Sequence, residues 1–356
     1  MFLFLSQKQE QKNEKPNLRS MKKLILLPFI FVATLIYAQP RIVVQNGSAS
    51  VYTNINDAIL AANSGDTIYL PGGGFNISPV TIDKTLHWVG VGHYPDSTSA
   101  TKATRIITSL VFTGNCDNST FEGIYFTNSL SFGSSGNDAM NISIKRCRVG
   151  STLNLRASSS DTVATNFVIS ESVMSTLNAY NASNCLIEKS MLFGGLNNFH
   201  QSFFDHNNFN YSGSYLLTYV NGCLFKNNIF SYYYGMRYTE SCEFSYNLYS
   251  GALPYNPETS THTGTNNITD VGGDNIYTTI TGTNYSFSYD NDYKLKTGCP
   301  GIGAAEDGTD IGVYGTLLPY KEGAVPYYPH IRSVSVDSEA SGGQLGVQIT
   351  VAAQER

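Results

Sequence analysis

Charge is scarce in this sequence: 22 Lys and Arg and 27 Asp and Glu make up 14% of 356 residues. The first 38 residues hold six of the basic residues and two of the acidic ones, so the remainder carries 16 against 25, a net charge near −9. A nucleic-acid binder would normally show a basic face and a binder of polyanionic sugars a basic groove, and that balance favours neither. Tryptophan occurs once. The six cysteines (116, 147, 185, 223, 242 and 299) form no CxxC and no Cys/His cluster with zinc spacing. Helical periodicity is nearly absent, since Asn54–Ala62 is the one amphipathic stretch, with Ile55, Ala58, Ile59 and Ala62 on one face. Apolar residues nevertheless make up 41% of the chain, which excludes wholesale disorder.

Long apolar runs are also missing, with one exception. Lys22-Lys23 lead into an apolar stretch from Leu24 to Tyr37, interrupted by Pro28 and followed by Ala38-Gln39-Pro40. It is shorter than the ~20 residues a membrane span needs. A basic start, an apolar middle and a small residue before a break predict a secretory signal over 1–38, cleaved after Ala38. Met21 is an alternative start, which would make 1–20 extraneous. The expectation is a secreted or surface-exposed protein with no membrane span once the signal is removed.

Between about 118 and 250 a unit of about 20 residues recurs. Its central apolar residues are Phe121, Ile144, Ile169, Ile187, Phe204, Phe225 and Phe244. Two residues earlier stand Ser119, Ile142, Phe167, Cys185, Ser202, Cys223 and Cys242, and five later Phe126, Val149, Met174, Leu192, Phe209, Phe230 and Tyr249. Alternation at −2 and 0 predicts a strand with one inward face. Position +3, a small or Asn residue in the last six units, predicts a bend at which Asn accepts left-handed backbone. Asn207, Asn228 and Asn247 would then stack into a ladder. Short strands and bends at this period specify a solenoid whose interior is completed only by neighbouring coils. The cysteines fit as buried fillers, with a Cys223–Cys242 disulfide as the alternative.

The expected fold is therefore all-β: a parallel β-helix over 39–318, capped by the helix at 54–62. Residues 319–356 form a linker and a terminal β-hairpin, in which Val334 and Val336 alternate opposite Leu345, Val347, Ile349 and Val351. The hairpin caps the rod or offers an edge to a protein partner.

The stretches INDAILAANSGDTIYLPGG (55–73), CLFKNNIF (223–230) and NDYKLKTGCPGIGAAEDGTDIGVYG (291–315) resemble secreted pectin-lyase-like right-handed β-helix proteins of the Bacteroidota type. The resemblance covers roughly 41–318. It implies a right-handed parallel β-helix and a relation to polysaccharides, but not catalysis, since many such proteins act as binding or scaffold modules. Lyases of that superfamily use acidic calcium ligands with a basic residue, usually Arg.

Two constellations can carry chemistry. Position +1 reads Lys145, Ser170, Glu188, Asp205, Lys226 and Ser245, and position +2 reads Arg146, Glu171, Lys189, His206, Asn227 and Tyr246; both are expected to face outward. Glu188 and Asp205 on adjacent coils can share a calcium ion or act on a glycoside, with Lys226 or His206 as a base. The competing reading is a solvated face of alternating charges. The second constellation is Tyr232, Tyr233, Tyr234, Arg237 and Tyr238, where amphipathic rings suit a glycan or simply fill a strand. Asp307-Gly308-Thr309-Asp310 has too few ligands for calcium and reads as a turn. No motif demands a cofactor. The favoured function is non-catalytic carbohydrate binding; the alternatives are a polysaccharide lyase or glycoside hydrolase at Glu188 and Asp205, and an adhesin-like structural rod.

Overall fold

The computed structural model describes residues 41–352, apart from 79–80, 134–138, 157–164, 233–234, 281–285, 324–329 and 341. The predicted signal segment and its cleavage point lie outside the described residues, as do Tyr233 and Tyr234.

The chain is a parallel β-solenoid. One face is an eleven-stranded sheet in which every strand after the first two pairs in parallel. A fifteen-stranded sheet forms the other faces along two branches. The branches join where Arg148–Asn154 and Val173–Ser183 run continuously from one face to the next. The predicted register is the observed one. Phe121, Ile144, Ile169, Ile187, Phe204, Phe225 and Phe244 are successive partners in the first sheet. Phe126, Val149, Met174, Leu192, Phe209, Phe230 and Tyr249 are successive partners in the second. Ile68 and Trp88 extend the first column by two coils.

These columns build the core. Phe204, Phe225 and Phe244 stack with centroids 4.6 and 4.9 Å apart, and Phe209, Phe230 and Tyr249 stack at 4.7 Å per step. Strand spacing of ~4.8 Å brings like rings to stacking distance without further adjustment. All six cysteines are unpaired and buried. The neighbouring Cys242 thiol, and then burial, push the Cys223 thiol up, and Cys223 Sγ donates to the Asn221 carbonyl at 3.6 Å.

The bend differs from the sequence expectation. Left-handed backbone sits at +2, where φ runs from 45° to 69°, and again at −3, where it runs from 43° to 63°. The three-residue strand therefore has a reversal at each end. Position +3 points inward instead. Asn228 Oδ1 accepts from Asn207 N at 2.8 Å, and Asn247 Oδ1 accepts from Asn228 N at 2.9 Å. Their Nδ2 atoms donate to the Phe204 and Phe225 carbonyls, both at 2.9 Å. Ser172, Ser190 and Asn207 continue the ladder upstream, and Asn267 continues it downstream. The predicted ladder forms, but as buried struts that satisfy backbone groups the reversal leaves unpaired.

At the N-terminal end, the seven-residue helix Ile55–Ala61 buries Ile55 and Ala58 against the core, with Asn54 as its N-cap. An antiparallel ribbon, Ile42–Asn46 with Ser48–Tyr52, covers the strand edge of the first coil at Asp66–Tyr69. Gly47, the single residue between the two strands, turns the chain at φ 77°. Helix and ribbon together shield the end that a solenoid must protect.

The described residues of 271–320, which exclude 281–285, do not continue the coils. They run back along the outside as a strap, from Val271, which bonds Tyr249, to Tyr320, whose hydroxyl lies 2.7 Å from that of Tyr94. Under the strap is a second, lateral core. Outward side chains at +4 (Val173, Met191, Ile229 and Leu248) pack with Ile276, Tyr277, Ile311 and Val313. Gly312 N donates to Asn227 O at 2.8 Å, and a Cβ on Gly312 would lie 2.4 Å from Ile229 Cδ1. Ile229→Asp, which buries an unpaired carboxylate here, is expected to cost about 3–5 kcal/mol. The substitution should also open 271–320 to limited proteolysis ahead of the coils; a protease pattern like that of the wild type would show that the strap does not depend on this contact.

Candidate functional site

The solenoid does bring Glu188 and Asp205 side by side, as register partners on adjacent strands. Both are already engaged. Asp205 Oδ1 accepts from Asn227 Nδ2 at 3.0 Å and lies 3.0 Å from His206 Nδ1. Glu188 lies 3.8 Å from Lys189, whose Nζ also donates to the Leu318 carbonyl of the strap at 3.2 Å. Lys226 is ion-paired with Glu306 of the strap. His206 is buried, and a Cβ on Gly315 would come within 2.6 Å of its ring. Among the described residues, no group of three or more His, Cys, Asp or Glu is placed to hold a metal ion. Asp307 is spent in its own turn, accepting from Thr309 N and Oγ1, and these bonds hold its carboxyl below the usual range.

The +2 column corrects the sequence reading most clearly. Expected on the exterior, Arg146, Glu171, His206 and Asn227 are buried. The left-handed conformation at +2 turns these side chains away from the line of the strand. Arg146 Nε meets Glu171 Oε2 at 2.9 Å, and Lys145 reaches Glu171 Oε1 at 3.4 Å. Burial raises the pKa of neighbouring Glu122, although Arg146 and Lys145 oppose the shift. Lys145 and Arg146 thus pair with Glu171 on the adjacent coil.

The aromatic constellation is redistributed. Tyr232 is half-buried against the core, while Arg237 and Tyr238 are exposed. Tyr238 stacks on Tyr219, one coil away, with centroids 4.7 Å apart and planes at 19°. The Arg237 guanidinium lies 4.7 Å from the Tyr238 ring centre and 5.6 Å from that of Tyr215, and its Nη2 donates to the Tyr238 hydroxyl at 3.1 Å. Tyr215, Tyr219 and Tyr238 are 45%, 47% and 56% exposed. The strands Tyr215–Thr218 and Gly235–Arg237 pair in parallel, which sets these groups on one outer face. Sequence reasoning found Tyr238 and Arg237 but not Tyr215 and Tyr219, whose signal was their place one repeat upstream.

The C-terminal hairpin forms as expected, His330–Val336 against Val347–Ala352. Val334, Val336, Val347, Ile349 and Val351 are each about half exposed. It touches the solenoid where Ser99 Oγ donates to the Arg332 carbonyl at 3.0 Å. Among the described residues, its second strand pairs only with the first.

Neither the family models nor the curated proteins searched contain a match to this chain.

Proposed function

We propose that this chain is an exported β-helix module, related to the pectin-lyase-like proteins of Bacteroidota-type bacteria, that binds carbohydrate without transforming it. The observation that carries the reading is the exposed group of Tyr215, Tyr219, Tyr238 and Arg237 on one outer face. Tyrosine presents an apolar ring to a sugar and a hydroxyl to its oxygens, and a guanidinium adds several donors. The group spans two adjacent coils, so it extends along the rod, which suits a polymer better than a single sugar. The engagement of Asp205 with Asn227 and His206, of Glu188 with Lys189, and of Lys226 with Glu306 of the strap favours binding over hydrolysis or elimination. The sequence signal at 1–38 supports export, and the acidic balance of the rest favours a neutral polysaccharide.

Tyr219→Ala combined with Tyr238→Ala is expected to weaken retention on the bound polysaccharide by about tenfold or more, with the unfolding midpoint unchanged because both rings are exposed. Affinity electrophoresis over a panel of neutral and uronate polysaccharides measures this directly. Release of new sugar ends by the wild type, lost in Glu188→Ala/Asp205→Ala, would instead establish the enzymatic alternative.

A further inference from the structure

A cleft of about 580 Å³ opens where the strap meets the turn that follows the second coil. Four tyrosine side chains form its apolar surface: Tyr94, Tyr289, Tyr293 and Tyr314. They are held by specific contacts. Tyr94 and Tyr289 meet edge-on with centroids 4.8 Å apart, the Tyr94 hydroxyl is bonded to that of Tyr320, and the Tyr314 hydroxyl donates to Glu322 Oε1 at 2.9 Å. Among the described residues no aliphatic side chain lines the cleft, and its described lining recommends no lipid or other apolar ligand.

The charges narrow the choice further. Asp96, Asp290, Asp292 and Glu322 face Lys294 and Arg332. Lys294 lies 3.5 Å from Glu322, and Asp292 Oδ1 accepts from the Lys294 backbone N–H at 3.0 Å. The Asp96 carboxylate and the Arg332 guanidinium line the same cleft, and neither makes a hydrogen bond or an ion pair with a described residue. A ligand that satisfies both must donate and accept at once. A uronate or a phosphate would meet four carboxylates, and a cation would meet Arg332 and Lys294. A neutral sugar does neither, since its hydroxyls donate to Asp96 and accept from Arg332 while its ring faces lie on the tyrosines.

We propose that this cleft is a second carbohydrate site, taking a short neutral oligosaccharide of about two or three rings, a length set by the volume of the cleft. The inference rests on the carbohydrate-binding reading above but uses none of the residues that carry it. The exposed face receives a polymer along the rod; the cleft receives a short chain or a chain end.

Calorimetric titration of the full chain with neutral gluco-, xylo-, manno- and galacto-oligosaccharides tests the proposal, beside uronate oligosaccharides and a lysine-rich peptide. At least one neutral series should bind. Asp96→Ala and Arg332→Ala, both at exposed positions, should each weaken that binding by about tenfold, whereas Tyr219→Ala/Tyr238→Ala should leave it unchanged. Binding that survives both cleft substitutions, or tighter binding of the uronates or the peptide, would overturn it. If long polysaccharides are retained and no short oligosaccharide binds, the cleft assignment fails and the polymer-binding face stands. If neither is bound, both fall.

Discussion

Lowering the pH from 7 to 4 is expected to remove about 3 kcal/mol of folding stability through His93 alone. His93 is fully buried beside the strap; its ring centroid is 4.9 Å from that of Tyr94 and 5.8 Å from that of Tyr289, and Nδ1 lies 3.2 Å from the Tyr289 hydroxyl. Burial, and then the positive charge of Arg148, push its pKa down from 6.5 to about 3. The folded state therefore binds fewer protons than the unfolded state throughout that interval. Stability is fully present above pH 6.5 and is lost as pH falls toward 3, at about 1.4 kcal/mol per unit. Glu122 acts in the opposite sense. Its raised folded pKa gives stability that is present at low pH and lost as pH rises through that value. Denaturant unfolding of the wild type and His93→Leu across pH 4–7 separates the two, because only the histidine contribution vanishes in the variant. Parallel pH profiles for the two proteins would mean that His93 does not govern the acid limb.

Asn228→Ala should cost about 3–5 kcal/mol, more than its side-chain volume alone would suggest. The buried amide accepts from Asn207 N and Nδ2, at 2.8 and 3.1 Å, and donates to Phe204 O and Asn247 Oδ1, at 2.9 and 3.0 Å. Removing it strands the Asn207 backbone N–H in an interior that water does not reach, at about 1–3 kcal/mol, and takes the amide donor from Phe204 O, in addition to the cavity. Asn228→Asp is the sharper variant, since a carboxylate keeps the acceptor but cannot donate to Phe204 O. Both substitutions should lower the thermal midpoint well beyond an exposed control such as Asn128→Ala. A loss of under about 1 kcal/mol in Asn228→Ala would show that the ladder bonds are replaced locally.

The sequence made the coil legible because the interior repeats at fixed offsets. Apolar residues at 0 and +5 can only be satisfied by neighbours in the same register, so Phe204, Phe225 and Phe244 define the stack in the sequence itself. The first two coils were harder to see. The chain between Trp88 and Phe121 carries the insertion that holds His93 and Tyr94, which breaks the period. The Asn46-Gly47 dipeptide is a local hairpin signal for the N-terminal ribbon. The left-handed residue lies at +2 rather than +3 for a physical reason: Asn at +3 tolerates left-handed φ, but its amide serves better pointing inward, which leaves Arg146, Glu171, Lys189 and His206 to take the strained position. The strap had a signal as well, in apolar residues at both +4 and +5 where one face of a two-residue strand should be polar. The cleft had none, because Asp96, Tyr289, Tyr314 and Arg332 come together only through the return of the C-terminal segment.

That return changes how the rod can come apart. A stack held only by nearest neighbours unravels from its ends, one coil at a time, and tolerates partial loss. Here Tyr94 and Tyr320, 226 residues apart, are bonded across the length of the stack. The strap stitches early coils to late ones, so fraying at either end must also break contacts in the middle. Melting should therefore be a single concerted transition, and the coils should gain their final resistance to unzipping only after the last segment of the strap has been synthesised and laid down.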